Sequence, residues 1–317
     1  MRPIDEGADK GRAMADNAAI ETKGLVKFYG KVQALRGVDL EVRRGELFGF
    51  LGPNGAGKTT TIRCLLDLIR PQAGTMRVLG LDPRADGVEL RARLGYLPGE
   101  LNLEPNLTVQ GVLRYLNDLR GNQADWSQIQ QLSERLQLDM HTPVRNLSKG
   151  NKQKVGVVLA LMHQPELLLM DEPTSGLDPL MQQEVYRLLR EAQGKGATVF
   201  FSSHIIREVE VLADRVAIIR DGVIVQEAEP QQLVDMAVRR VRVRFRQQVD
   251  ASPLGELEGV SILSQGNGRE VLLQVGGQMD ALVKALAQFP VSDLETEHPS
   301  LEEIFLAYYE GAQKGGE

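Results

Sequence analysis

Only one cysteine, one tryptophan and 5% aromatic residues occur among the 317 residues of this chain. A lone Cys64 excludes an internal disulfide, and with it the small stapled folds of the secreted class; a packed thiol in a reducing cytosol is the expectation. Long apolar runs are also missing. The longest, Val155–Met162 and Leu167–Met170, fall well short of the ~20 residues that cross a bilayer, so no stretch reads as a membrane span by itself. Positive charge is in deficit, with 37 basic against 43 acidic residues and a net charge of −6. That balance argues against a chain-wide affinity for nucleic acid and leaves only a local basic patch open. The first nineteen residues scatter Asp5, Glu6, Asp9 and Asp16 among small residues without an apolar stretch. Neither a secretory nor a transit peptide fits them, and they read as a disordered extension.

What is present is an ordinary globular composition, 42% hydrophobic and 25% charged, in a chain long enough for one large core and a smaller second domain. Its most informative stretch is Gly52-Pro53-Asn54-Gly55-Ala56-Gly57-Lys58-Thr59, continued by Thr60. Residues Gly45 to Leu51 before it read as a buried strand, and Thr60, Ile62, Leu65, Leu66 and Ile69 after it recur at helical spacing until Pro71. In that setting the glycines let successive backbone N–H groups turn inward around β- and γ-phosphates, with the helix N-terminus adding its dipole. Lys58 supplies a mobile positive charge and the Thr59 hydroxyl a ligand for Mg²⁺. An accidental glycine-rich turn is the bland alternative, and the flanking strand and helix weigh against it.

Strand-like runs at Val38–Val42, Leu47–Leu51, Leu94–Leu97, Leu167–Asp171 and Thr198–Ser202 alternate with helical patterns, which predicts an α/β domain with a largely parallel sheet. Asn106 to Leu138 breaks that rhythm. Thr108 can cap one helix and Trp126, Ile129, Leu132 and Leu136 mark another, so a helical insertion is expected over about 100–150. Val216–Ile219 and Val223–Val225, joined by Asp221-Gly222, form a hairpin that closes a main domain spanning 20–235. Beyond it, Val241, Val243 and Phe245 alternate with four arginines, Gly266-Asn267-Gly268 reads as a second hairpin turn, and helices follow around Leu282–Phe289 and Leu301–Tyr309. Residues 236–317 are therefore expected to form a small α+β accessory domain. The arginines either meet a partner or anionic lipid, or form a solvated face that blunts a strand edge; the second reading is preferred.

Leu167-Leu168-Leu169-Met170-Asp171 is an apolar strand ending in a carboxylate, suited to hold the Mg²⁺ shell beside the phosphate loop. Glu172, one step further, can polarise an attacking water; the bland reading of the pair is a capped turn into Pro173. Together with Leu147-Ser148-Lys149-Gly150-Asn151, Thr174-Ser175-Gly176-Leu177-Asp178, Ser203-His204 and Phe28-Tyr29-Gly30, these residues resemble the ATP-binding subunit of an ABC transporter over about residues 20–235. The ending His298-Pro299-Ser300-Leu301-Glu302-Glu303-Ile304-Phe305 is similar to the tail of the ABC-2, drug-exporter branch. A GTPase is disfavoured, because no Asn-Lys-x-Asp motif occurs.

The resemblance implies a P-loop ABC ATPase fold and ATP with Mg²⁺ as its ligands. It implies that Tyr29 stacks on adenine, that Ser148 and Gly150 of the signature face the nucleotide of an opposing subunit, that Asp178 of the D-loop belongs to the nucleotide-binding set, and that His204 grips the γ-phosphate. Expected partners are a multi-helix membrane permease and a second ATP-binding subunit, read as a homodimer, with the chain held peripherally at the cytoplasmic face of the membrane and no nucleic acid involved. The alternative is a soluble non-transport ABC ATPase acting on a macromolecule, though the second cassette, coiled coil or zinc insertion usual there is absent. One position departs from the family pattern. Gly99, in Tyr96-Leu97-Pro98-Gly99-Glu100, stands where a glutamine normally reaches Mg²⁺, and two readings stay open: Glu100 supplies the missing ligand, or it points to solvent and water does.

Overall fold

The computed structural model describes residues 17–230, 239–276 and 279–297. The chain divides into two compact units after Glu227. Residues 1–16 of the predicted disordered extension, the boundary near 235, and the tail with its helix from Leu301 lie outside the described residues. Ala18 and Ala19 correct the first of these expectations, because both are buried in a strand.

The first unit opens with the long hairpin of β1 (Ala18–Tyr29) and β2 (Val32–Arg43). After β3 (Leu47–Leu51) and α1 (Lys58–Leu65), β4 (Ala73–Val78) returns to pair with β1, giving an antiparallel sheet ordered β2-β1-β4. Val38–Val42 thus belong to this sheet and not, as expected, to the parallel one. The residues carry the reason: Val38, Leu40 and Val42 are buried while Asp39 and Glu41 between them are exposed, the alternation of a strand with one wet face.

After α2 (Gly87–Arg93), a six-stranded sheet takes the order β5 (Leu94–Leu97), β6 (Leu167–Asp171), β7 (Thr198–Ser203), β3, β8 (Arg215–Arg220), β9 (Val223–Ala228). Its first five strands pair in parallel. Every residue of β3, β6 and β7 is buried, as a sheet covered on both faces requires. Phe200 of β7 anchors the core, stacked 5.9 Å from Phe48 and tilted 5.3 Å from Phe50 between ring centroids. Asp221 and Gly222, both at positive φ, make the predicted two-residue turn between β8 and β9.

Between β5 and β6 lie α3 (Val109–Leu119), α4 (Trp126–Arg135) and α5 (Lys149–Leu161). Thr108 caps α3 by accepting from Gly111 N at 3.1 Å, and Asp125 caps α4 by accepting from Ser127 N at 3.0 Å. Arg135 ties α4 to α6 (Pro179–Gly194) by donating to Glu184 at 2.6 Å and, through both terminal nitrogens, to Glu191 at 2.7 and 2.8 Å. A short α7 (Ile206–Leu212) connects β7 to β8.

The second unit is α+β. Strands β10 (Arg239–Phe245), β11 (Val260–Gly266), β12 (Glu270–Val275) and β13 (Val291–Glu297) form an antiparallel sheet ordered β11-β12-β10-β13, with α8 (Asp280–Leu286) before the last strand. Val241, Val243 and Phe245 are buried in one cluster with Leu254, Leu273, Leu282 and Leu286. The arginines between them blunt no edge, since β10 is an interior strand. Acids on its neighbours balance them: Arg244 reaches Glu270 at 3.3 Å, Asp293 at 3.0 Å and Glu295 at 3.3 Å, while Arg242 and Arg240 sit in register opposite Glu295 and Glu297.

Candidate functional site

Three parallel neighbours, β6, β7 and β3, end at one edge of their sheet, where Asp171 is in register with Ser202 and Leu51 with Ser203. The chain therefore leaves them side by side as Asp171-Glu172, Ser203-His204 and Leu51-Gly52, the crevice in which open α/β sheets bind ligands. Gly57 closes the loop after β3 at φ +114°, and an added Cβ would come within 2.8 Å of Leu35 Cδ2 and 2.9 Å of Ala34 O. Only glycine satisfies both the conformation and the contact.

Lys58 begins α1 with its ammonium folded back into the loop, donating to Gly52 O at 2.6 Å and Pro53 O at 3.2 Å. Burial pulls this group below the ordinary lysine range, against the opposing pull of Glu172 and Asp171. A buried cation held mainly by carbonyl oxygens fits an anionic ligand. The next side chain, Thr59, donates from Oγ1 to Asp171 Oδ2 at 2.7 Å, and Ser202 Oγ donates to Asp171 Oδ1 at 2.6 Å. Among the described residues no cluster of three or more His, Cys, Asp or Glu could hold a metal alone. One hydroxyl and one carboxylate do fit Mg²⁺, which completes its shell with substrate phosphates and water.

Glu172 takes a left-handed backbone, φ +52°, a conformation unusual away from glycine and kept only where surrounding bonds fix it. Its N–H is shared between Ser202 O at 3.3 Å and Ser202 Oγ at 3.1 Å, and its carbonyl accepts from Gln153 Nε2 of α5 at 2.8 Å. Thus aimed, Glu172 Oε1 lies 2.9 Å from His204 Nδ1 and 3.9 Å from Lys58 Nζ. Ser202 escaped the sequence reading as a site residue. Its place one pleat before His204, at the end of an apolar strand, was the available signal.

Residues 35–175 match the family described as ABC transporter. Over 313 residues the chain is 35% identical to the daunorubicin resistance ATP-binding protein of Streptomyces coeruleorubidus, covering 92% of this chain and 96% of that protein. The chain belongs to the ABC transporter ATP-binding family. It is also 38% identical over 211 residues to the bacitracin transport ATP-binding protein of Bacillus licheniformis, covering 66% of this chain and 69% of that one. A solved ATP-binding subunit of an ABC transporter matches with a TM-score of 0.62 at 29% identity, over 68% of this chain and 91% of that structure.

Not every predicted site residue of this ABC ATPase joins the cluster. Tyr29 stands exposed at the end of β1 with Lys27 Nζ 5.5 Å from its ring centre. Its hairpin reaches the phosphate loop through Ala34 and Leu35. Ser148 caps α5 by accepting from Asn151 N at 3.2 Å, and Asp178 caps α6 by accepting from Leu180 N and Met181 N at 3.1 Å each. Ser148, Gly150 and Asp178 have no hydrogen bond or ion pair to the phosphate loop among the described residues. Pro53 is half-buried, Asn54 and Gly55 are exposed and Ala56 is buried. Glu100 is exposed, and it is the preceding backbone that abuts Asp171: a Cβ on Gly99 would lie 3.1 Å from Asp171 Oδ2.

Proposed function

We propose that this chain is the ATP-hydrolysing subunit that drives outward transport through a separate multi-helix membrane permease. The reading rests on the end-on cluster of Lys58, Asp171, Glu172 and His204, and above all on the 2.9 Å contact between Glu172 and His204. The export direction is carried over from the drug-resistance and antibiotic-transport names of the relatives. No helix among the described residues is long and apolar enough to cross a membrane; in this reading the work is done on a separate permease. The subunit sits at the cytoplasmic face, docked on that permease, and pairs with a second copy of itself.

In this reading the loop N–H groups and Lys58 hold the β- and γ-phosphates of the substrate ATP, and Tyr29 stacks on its base. Thr59 and Asp171 would hold Mg²⁺, with Glu100 offering a further carboxylate; the ion, when bound, offsets charge on the phosphate oxygens. Glu172 takes a proton from water as its oxygen attacks the γ-phosphorus and the bond to the ADP oxygen breaks. His204 keeps the Glu172 carboxylate in place. Ser148, Gly150 and Asp178 complete the site of the opposing subunit, so loss of the γ-phosphate releases both surfaces at once.

The test is to solubilise membranes expressing the full chain and ask whether a multi-helix membrane protein co-purifies with it and raises its Mg²⁺-dependent ATP turnover on reconstitution. Full turnover in the soluble fraction, with no membrane protein bound after crosslinking, would overturn the transport reading.

A further inference from the structure

Glu208 of α7 is a buried carboxylate, 5% exposed, that the chemistry above leaves without a task. Its Oε1 accepts from Thr174 Oγ1 and its Oε2 from Ser203 Oγ at 2.6 Å. Both hydroxyl residues are themselves buried. The Tyr186 phenol of α6 senses the same carboxylate, its ionisation pushed up to about 12 by burial and then by the negative charge of Glu208. Two hydroxyls from the exits of neighbouring strands therefore converge on one carboxylate.

Both hydroxyls flank the hydrolytic pair. Thr174 follows Glu172 by two residues, and Ser203 immediately precedes His204. Ser203 Oγ accepts from Ile205 N at 2.9 Å as well, so the turn that carries His204 is fastened on the same atom. A carboxylate out of water keeps its hydrogen-bond donors firmly, and bonds to a charged acceptor are the stronger kind.

We infer that Glu208 is a positioning residue for ATP hydrolysis: it clamps the exits of β6 and β7 so that Glu172 Oε1 and His204 Nδ1 stay in contact. This rests on Glu172 and His204 being the hydrolytic pair. Among the described residues Glu208 makes no hydrogen bond to the phosphate loop, so releasing the clamp should disturb the chemical step and spare nucleotide binding.

Full-length Glu208→Gln, Thr174→Val and Ser203→Ala should each lower kcat by roughly tenfold or more, the scale expected when reacting groups shift by a fraction of an ångström. KM and the affinity for a non-hydrolysable ATP analogue should stay within about twofold, since that binding is made elsewhere. Thr174→Ser keeps the hydroxyl and should keep kcat. In a Glu172→Gln background, adding Glu208→Gln should cost nothing further, because the group it positions has already lost its function. Unchanged kcat in all three variants, a loss expressed in KM alone, or full additivity with Glu172→Gln would each overturn the clamp. If Glu208→Gln fails to fold, the two single-bond deletions decide by the same criteria. Normal turnover in Glu172→Gln itself would instead overturn the hydrolytic reading beneath it.

Discussion

Replacing Glu172 by glutamine should separate hydrolysis from binding, and the structure gives the expected size of both effects. The amide keeps the volume of the side chain and an oxygen for His204, but it removes the charge and the basic site. Glu172 Oε1 is 3.9 Å from Lys58 Nζ, which at an effective dielectric constant of ~20 corresponds to about 4 kcal/mol of attraction. Glu172 is also 26% exposed, so solvation of the separated charges offsets much of that, leaving a net effect of order 1 kcal/mol. Without that carboxylate Lys58 is freer for phosphate and nothing negative opposes the incoming nucleotide. ATP should bind about fivefold more tightly, while turnover falls by roughly 10²–10⁴ for loss of a general base. Steady-state phosphate release measures the second effect, titration calorimetry with ATP measures the first, and size exclusion should find an ATP-dependent dimer. Unchanged phosphate release would place water activation on another group. Weaker ATP binding would refute the electrostatic account of Lys58.

If the site is completed across a dimer of identical chains, mixing Lys58→Ala with Ser148→Arg should restore about half the activity of one wild-type pair in each mixed dimer, as one of two sites becomes whole; absence of recovery while both variants still dimerise would refute the pairing. Cys64 is fully buried, and its thiol is pushed up to about 11 chiefly by burial. It should resist alkylation at pH 8 in the native state and react on unfolding. Because the folded thiol keeps its proton where the unfolded one loses it, this group's contribution to stability is complete below pH ~8.5 and is lost as pH rises towards 11; a stability curve flat over that range would contradict it. Glu100→Ala should raise the Mg²⁺ concentration needed for half-maximal turnover severalfold, and Gly99→Gln should not rescue it, because its Cβ crowds Asp171 Oδ2 at 3.1 Å. An unchanged Mg²⁺ requirement in Glu100→Ala would leave that ligand position to water.

The phosphate loop, Asp171-Glu172 and His204 were legible in the sequence because each is a short polar departure from an apolar strand, and β3, β6 and β7 are uniformly buried. The antiparallel sheet was harder to read. β1 shifts register against β2 between Thr22 and Leu25 and again between Lys27 and Phe28, so no steady alternation marks it. Glu208 was not legible at all. In Ile206-Arg207-Glu208-Val209-Glu210 it looks like any charged residue of a surface helix, and only the hydroxyls of Thr174, remote in sequence, and of Ser203 make its burial tolerable.

The arginine run of β10 shows the opposite failure, a pattern read correctly and explained wrongly. Alternation with Val241, Val243 and Phe245 set which face is buried, and that held. What one strand cannot reveal is its neighbours. With Glu270 on one side and Asp293, Glu295 and Glu297 on the other, the charges are matched across strands, which favours this register over a one-residue slip. A face so balanced has little net field to offer anionic lipid. Arg240, Arg242 and Arg244 therefore act within the second unit, favouring the place of β13 beside β10, and most of the attraction that the run of positive charges advertises in the sequence is met inside the sheet.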